Sequence, residues 1–210
     1  MEEIDSVATD LFKNGQIYGG ILVAEGDKIV YNKAFGMADK EKKIPNSNNS
    51  IFPINSITKS FTAVLILQMY EEGLIKLNDP ISLYVQDFNH PKVNQITIHD
   101  LLSHRSGLQD YFLVQLNGKM DFDISMDDML DKIAKMTLEF EPGTAFSYNN
   151  TGYVLLAKMV QNLRKLSFKA ALEKYIFEPI EMTNTTYSST DKLLDAVELY
   201  DQNGELAQTN

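Results

Sequence analysis

Ser56-Ile57-Thr58-Lys59 sets a hydroxyl and an amine three positions apart at the head of a long apolar, helix-forming run. Three residues along a helix bring a side chain back to nearly the same face, so Lys59 comes within reach of the Ser56 hydroxyl. A serine hydroxyl is a poor nucleophile until a neighbouring base takes its proton. An amine can be that base only when burial and neighbours draw its pKa from ~10.4 toward ~7–8. The backbone N–H groups at a helix N-terminus can then stabilise developing negative charge. Alone, the motif is cheap. Ser189-Thr190-Asp191-Lys192 repeats it in a polar stretch, and a helix cap at Ser56 beside a surface lysine would explain the same letters.

Tyr148-Asn149-Asn150 adds a second group of the right kind: it is the only Y-x-N in the chain, after the Glu141-Pro142-Gly143 turn and before a helix. A tyrosine beside a lysine cation can share its proton, and Asn150 can donate to a substrate carbonyl or hold the lysine. The competing reading is a cap by Asn150 and a buried Tyr148 bonded to backbone. His90, His99 and His104 offer less. Their spacing matches no helical ligand pair and no nearby Asp/Glu set completes a metal site, so neither metal nor cofactor is expected. His104 reads as a packing residue.

These groups need elements to carry them. Residues 56–72 form the strongest helix, with Ile57, Phe61, Val64, Leu65 and Met69 as one stripe, Gly73 as its stop, and Ala63, Ile66 and Leu67 implying burial on most sides. Residues 151–163 form a second, with Tyr153, Leu156, Val160 and Leu163 inward. Thr97 caps a short helix through Ser103, with Gly107 turning the chain afterwards; residues 127–136 and 168–177 are further helices. Near the start, residues 4–12 are helical up to Gly15, and two strands flank Gly26-Asp27 as a hairpin. Residues 38–50 read as an exposed polar connection, and Asn203-Gly204 as another hairpin turn.

Composition narrows the classes. The 210 residues are 44% hydrophobic and carry a net charge of −10, which leaves no basic stripe for nucleic acid. With no cysteine, disulfides, thiolate metal sites and a cysteine nucleophile are excluded. Neither a signal-like N-terminus nor an apolar run of spanning length is present in the sequence as written, which predicts a cytoplasmic protein unless an export signal was trimmed.

The motifs sit inside longer blocks: Phe35-Gly36-Met37-Ala38-Asp39, Phe52 through Lys59, Gly73 through Pro80, Ile96 through Leu108, Phe140-Glu141-Pro142-Gly143, Tyr148 through Tyr153 and Phe177 through Met182. In this order they resemble the serine β-lactamase-like superfamily, in the branch of class C β-lactamases, penicillin-binding proteins and esterases. The resemblance implies an α+β, helix-rich β-lactamase/transpeptidase-like fold with Ser56 as acylated nucleophile and Lys59 and Tyr148 as its proton-handling partners. Asn150 is then the substrate-binding residue, and a β-lactam, D-amino-acid peptide or small ester the substrate. The family's third motif, a basic residue followed by Ser/Thr and Gly, has no match after Asn150. One expectation is therefore a single domain over 1–210 that stops before the later strands and closing helix, with an N-terminal hairpin edge that invites self-association. The alternative function is a silent remnant or a penicillin-binding sensor without turnover.

Overall fold

The computed structural model describes residues 2–114, 124–187 and 196–200. The second S-x-x-K match at Ser189 and the expected hairpin at Asn203-Gly204 lie outside these. The chain divides into two compact units, Met1–Ile54 with Ser188–Asn210, and Asn55–Tyr187.

In the first unit, helix α1 (Glu2–Lys13) is tied to a hairpin of β1 (Gly19–Glu25) and β2 (Lys28–Phe35). Asp5 accepts from Tyr31 Oη at 2.9 Å and Lys33 Nζ at 2.8 Å, and Phe12 packs on Tyr18 and Phe35. The register runs from Gly19 opposite Phe35 to Glu25 opposite Lys28, and Gly26 makes the turn with a φ of +57°. Residues 38–50 depart from the expected open connection. There β3 (Met37–Asp39) pairs antiparallel with β4 (Ile44–Pro45). Asp39 causes this: its buried carboxylate accepts the Lys42 backbone N–H and the Lys42 ammonium, closing a tight turn.

The second unit is helical. Its core gathers α2 (Thr58–Glu71), α3 (Ile98–Leu102), α6 (Asn150–Arg164) and α7 (Phe168–Leu172), with the short α4 (Tyr111–Val114) and α5 (Met126–Ile133) between α3 and α6 in sequence. Thr97 and Asp100 form a reciprocal capping box on α3, and Ser125, Asn149 and Ser167 cap α5, α6 and α7. Residues 173–177 continue beyond α7 as a single π-helical turn. In α6, Leu155, Leu156, Met159 and Val160 are buried, as the 3.6-residue period requires.

Helix α2 differs from expectation on one side. Thr62, Leu65, Ile66 and Met69 are the buried stripe, whereas Ile57, Val64 and Leu67 are exposed by 62%, 43% and 45%. The apolar letters are continuous enough to suggest burial all round. The face at 62, 65, 66 and 69, with Phe61 and Gln68 alongside, is the one that meets packed neighbours among the described residues.

Between α3 and α6 the segment 104–108 lies against 139–147. Glu139 N–H donates to Gly107 O at 2.8 Å, Gly143 N–H to Arg105 O at 2.8 Å and Ser147 N–H to His104 O at 3.0 Å. Gly107 has a φ of +73°, and a Cβ there would come within 2.0 Å of the Phe140 carbonyl oxygen. Gly73, behind α2, has the same φ of +73°, but a Cβ there would find nothing within 4 Å. Gly73→Ala should therefore lose only the left-handed strain, about 1–2 kcal/mol, while Gly107→Ala loses that and the seam to Phe140. Urea unfolding of the two variants checks this, and equal losses would contradict the seam.

Candidate active site

Ser56 sits in the 3₁₀ turn Asn55–Ile57 that leads into α2. Asn55 enters the turn with a φ of +44°, a left-handed conformation that Asn tolerates better than most residues. The residue capping α2 is Ile57, with no side-chain cap. The Ser56 hydroxyl is thus not spent as a helix cap. Instead Ser56 Oγ accepts from Lys59 Nζ at 3.2 Å and from Tyr148 Oη at 2.8 Å. The two sequence motifs, 92 residues apart, meet at one oxygen.

The start of α6 brings Tyr148 and Asn150 there. Asn149, not Asn150, is the helix cap: its Oδ1 accepts from Gly152 N–H at 2.8 Å, and its Nδ2 donates to Leu108 O at 2.7 Å. Thr151 Oγ1 donates to Gln109 O at 2.8 Å. Asn150, relieved of capping, turns its Oδ1 to accept from Lys59 Nζ at 2.6 Å. Asp110 Oδ2 in turn accepts from Asn150 N–H at 2.7 Å and Asn150 Nδ2 at 2.9 Å.

Tyr148 is half exposed, not buried against backbone. The Lys59 ammonium beside its hydroxyl, and then the Ser56 contact, hold Tyr148 below the usual phenol range of 10. Lys59 Nζ also lies 4.9 Å from the Tyr148 ring centroid and 5.7 Å from that of Tyr153. A cation and a phenol of lowered pKa around the Ser56 hydroxyl can move a proton off and back onto its oxygen. That is what covalent catalysis by serine requires.

Residues 4–201 match the family model described as Beta-lactamase. The chain belongs to the β-lactamase family. Penicillin-binding protein 4* of Bacillus subtilis (strain 168) is 32% identical over 187 residues, covering 88% of this chain and 41% of that protein. The structure of a penicillin binding protein from Bacillus halodurans superposes with a TM-score of 0.82 at 28% identity, over 95% of this chain and 62% of that one. An octameric penicillin-binding protein homologue from Pyrococcus abyssi gives 0.80 at 29% identity, over 98% and 49%. The chain thus spans about two fifths of the curated relative's length. The fold expected from the sequence, β-lactamase/transpeptidase-like and helix-rich with small antiparallel ladders, is the one observed.

In this β-lactamase-family chain the histidines separate by environment. His90 is buried, its Nδ1 accepting from Lys92 N–H and its Nε2 bonding to Met136 O. His104 packs on Tyr148 and Tyr153 with ring centroids 4.6 Å and 5.2 Å away, and its Nδ1 accepts from Asn149 N–H at 3.1 Å. It is a support for the motif, as its block suggested. Among the described residues no group of three or more His, Asp or Glu could hold a metal ion. Asp110 is the site residue that the motifs did not point to. Asp before Tyr111-Phe112 looks like a local turn cap, which it also is, since Oδ1 accepts from Phe112 N–H at 3.0 Å.

Burial first, and the Lys59 charge second, push His104 below its usual value of 6.5. A base with a depressed folded pKa binds its proton more readily in the unfolded chain. Its contribution is thus full above about pH 6.5 and is lost as pH falls below that toward the folded value. His104→Asn keeps a short acceptor and tolerates the local φ of +58°. Its denaturation midpoint should fall less between pH 7 and pH 5 than that of the parent. An unchanged pH slope would remove His104 as the titrating group.

Proposed function

We propose that this chain is a serine acyl-transfer site of the β-lactamase/penicillin-binding type, with Ser56 as nucleophile. The observation that carries the reading is the convergence of Lys59 Nζ and Tyr148 Oη on Ser56 Oγ at 3.2 Å and 2.8 Å. In the proposed reaction Tyr148, ionised with the help of Lys59, accepts the Ser56 proton. Ser56 Oγ then bonds to the substrate carbonyl carbon. The carbonyl oxygen gains negative charge, which the Ser56 backbone N–H can receive. Collapse breaks the bond to the leaving group, and the proton held by Tyr148 and Lys59 passes to that group. Water can later release the acyl chain by the reverse proton path. Asn150, tied to Lys59 by Oδ1, retains a second Nδ2 hydrogen with which to meet a substrate carbonyl.

β-Lactams are the first substrate class to try, because the relatives described above carry penicillin binding in their names. D-amino-acid peptides and small esters are the other two. A penicillin-binding sensor without turnover is the second reading: it would keep acylation of Ser56 and lose release of the acyl chain. Among the described residues no helix is long and apolar enough to cross a membrane. Self-association is the proposed partner state. Leu22 and Ile29 stand exposed on one side of the hairpin, beside backbone edges unpaired by any other strand among the described residues. Leu22→Lys should move the chain toward monomer in sedimentation, and an unshifted profile would discard the hairpin as the contact.

Fluorescent penicillin and a fluorophosphonate should both label the chain at Ser56, mapped by peptide mass. Ser56→Ala should abolish labelling with the fold intact, and Ser189→Ala should leave it. Tyr148→Phe should slow acylation by about 10²–10⁴. Labelling at Ser189, or none with either reagent, would remove the reading. Labelling without hydrolysis of a chromogenic cephalosporin, a nitrophenyl ester or a D-Ala-D-Ala peptide would select the sensor.

A further inference from the structure

Asn150 can serve Lys59 only while its carbonyl end faces the amine. Its amide has two ends of nearly equal shape, and rotation about χ2 exchanges them. As placed, Oδ1 meets Lys59 Nζ at 2.6 Å and Nδ2 meets Asp110 Oδ2 at 2.9 Å. The exchanged amide would set an N–H group against the Lys59 ammonium and an oxygen against the Asp110 carboxylate, two repulsive contacts in place of two bonds.

Lys59 by itself orients the amide only while it carries a charge. A neutral amine accepts as readily as it donates, so it would bind either end of Asn150. In the reaction proposed above, Lys59 enters such a state when the proton it shares with Tyr148 leaves for the departing group. The Asp110 carboxylate is acceptor-only and keeps its demand for N–H throughout. Both of its oxygens are anchored. Oδ1 accepts from Phe112 N–H at 3.0 Å, and Oδ2 accepts from Asn150 backbone N–H at 2.7 Å as well as from Nδ2. Its neighbours Leu108 and Gln109 are bonded through their carbonyls to Asn149 and Thr151.

We propose that Asp110 is a positioning residue for the Ser56 reaction, locking the Asn150 amide with its oxygen toward Lys59 while the proton moves. The proposal rests on the reading of Ser56 as nucleophile. It adds a charge to the site as well. Lys59, Asp110, Ser56 and the neutral His104 ring surround Tyr148, with Tyr111 and Tyr153 nearby. Of these the Lys59 cation favours the phenolate and the Asp110 carboxylate opposes it.

The test is acylation of Ser56 by a fluorophosphonate, as rate against pH, in the full chain carrying Asp110→Ala, Asp110→Asn, Asn150→Ala or both alanines. Asp110→Ala should slow acylation by up to about 10²-fold, the scale of a misplaced positioning contact. Asp110→Asn can still accept from Nδ2 and should recover part of that loss. With the carboxylate charge gone, its rising limb should move to lower pH. In the Asn150→Ala background Asp110→Ala should add nothing further. Parent-like rates in Asp110→Ala, multiplying losses in the double variant, or an unmoved limb in Asp110→Asn would each overturn the proposal. If Asp110→Ala does not fold, the Asp110→Asn limb decides. A chain that no reagent acylates would sink the reading of Ser56 instead. The lock would then be judged by NMR of the Asn150 side-chain amide: the Nδ2 proton that meets Asp110 should move upfield and exchange faster with solvent in Asp110→Ala if Asp110 holds it, and stay unchanged if it does not.

Discussion

Three consecutive residues at the head of α6, Asn149, Asn150 and Thr151, hydrogen-bond to three consecutive residues of one extended segment, Leu108, Asp110 and Gln109. That seam sets where Tyr148 and Asn150 stand relative to the Ser56 turn. It is mostly dry: Asn149, Thr151 and Leu108 are buried. Each polar group in it therefore needs its partner, because an unpaired buried donor or acceptor costs about 1–3 kcal/mol. Gly107 lets the segment arrive, since only a residue without Cβ fits against the Phe140 carbonyl there. Local bonding thus fixes long-range geometry, and the site inherits its precision from a helix cap and a turn.

The charges at the site act against one another in a useful way. Lys59 touches Ser56 and Asn150, lies over the Tyr148 ring and draws the phenol pKa down. His104, packed on the same tyrosine, is pushed toward its neutral form and so adds no second cation beside Lys59. Asp110 balances Lys59 from the far side of the Asn150 amide. Lys59 thus favours, and Asp110 opposes, the ionised Tyr148 that the proposed reaction uses as its base.

Much of this was legible in the letters, for physical reasons. Helical spacing alone puts Lys59 beside Ser56, and a Tyr-x-Asn ahead of a helix has the chemistry to partner them. The order of several blocks connects the two across 92 positions where periodicity cannot. Other features were illegible for equally definite reasons. Adjacent asparagines at 149 and 150 can both cap, and only the tertiary bond that Asn149 Nδ2 donates to Leu108 O favours Asn149. Asp110 reads as a local turn residue because its pairing with Asn150 spans 40 residues. The exposed side of α2 at Ile57, Val64 and Leu67 is hidden in a run where nearly every letter is apolar. The β3–β4 ladder depends on one carboxylate, Asp39, in a stretch whose polarity suggests a loop.

The central claim is that Lys59, Ser56 and Tyr148 form one proton-sharing cluster. Titration of tyrosine labelled with ¹³C at Cζ tests it most directly, with Tyr148→Phe to assign the signal. Tyr31, Tyr84, Tyr111, Tyr153, Tyr187 and Tyr200 are all pushed upward, Tyr84 to about 12, so a downward outlier is easily seen. Tyr148 should titrate below the ordinary 10 and return toward it in Lys59→Met. A Tyr148 that titrates at or above 10, indifferent to the loss of Lys59, would contradict the account.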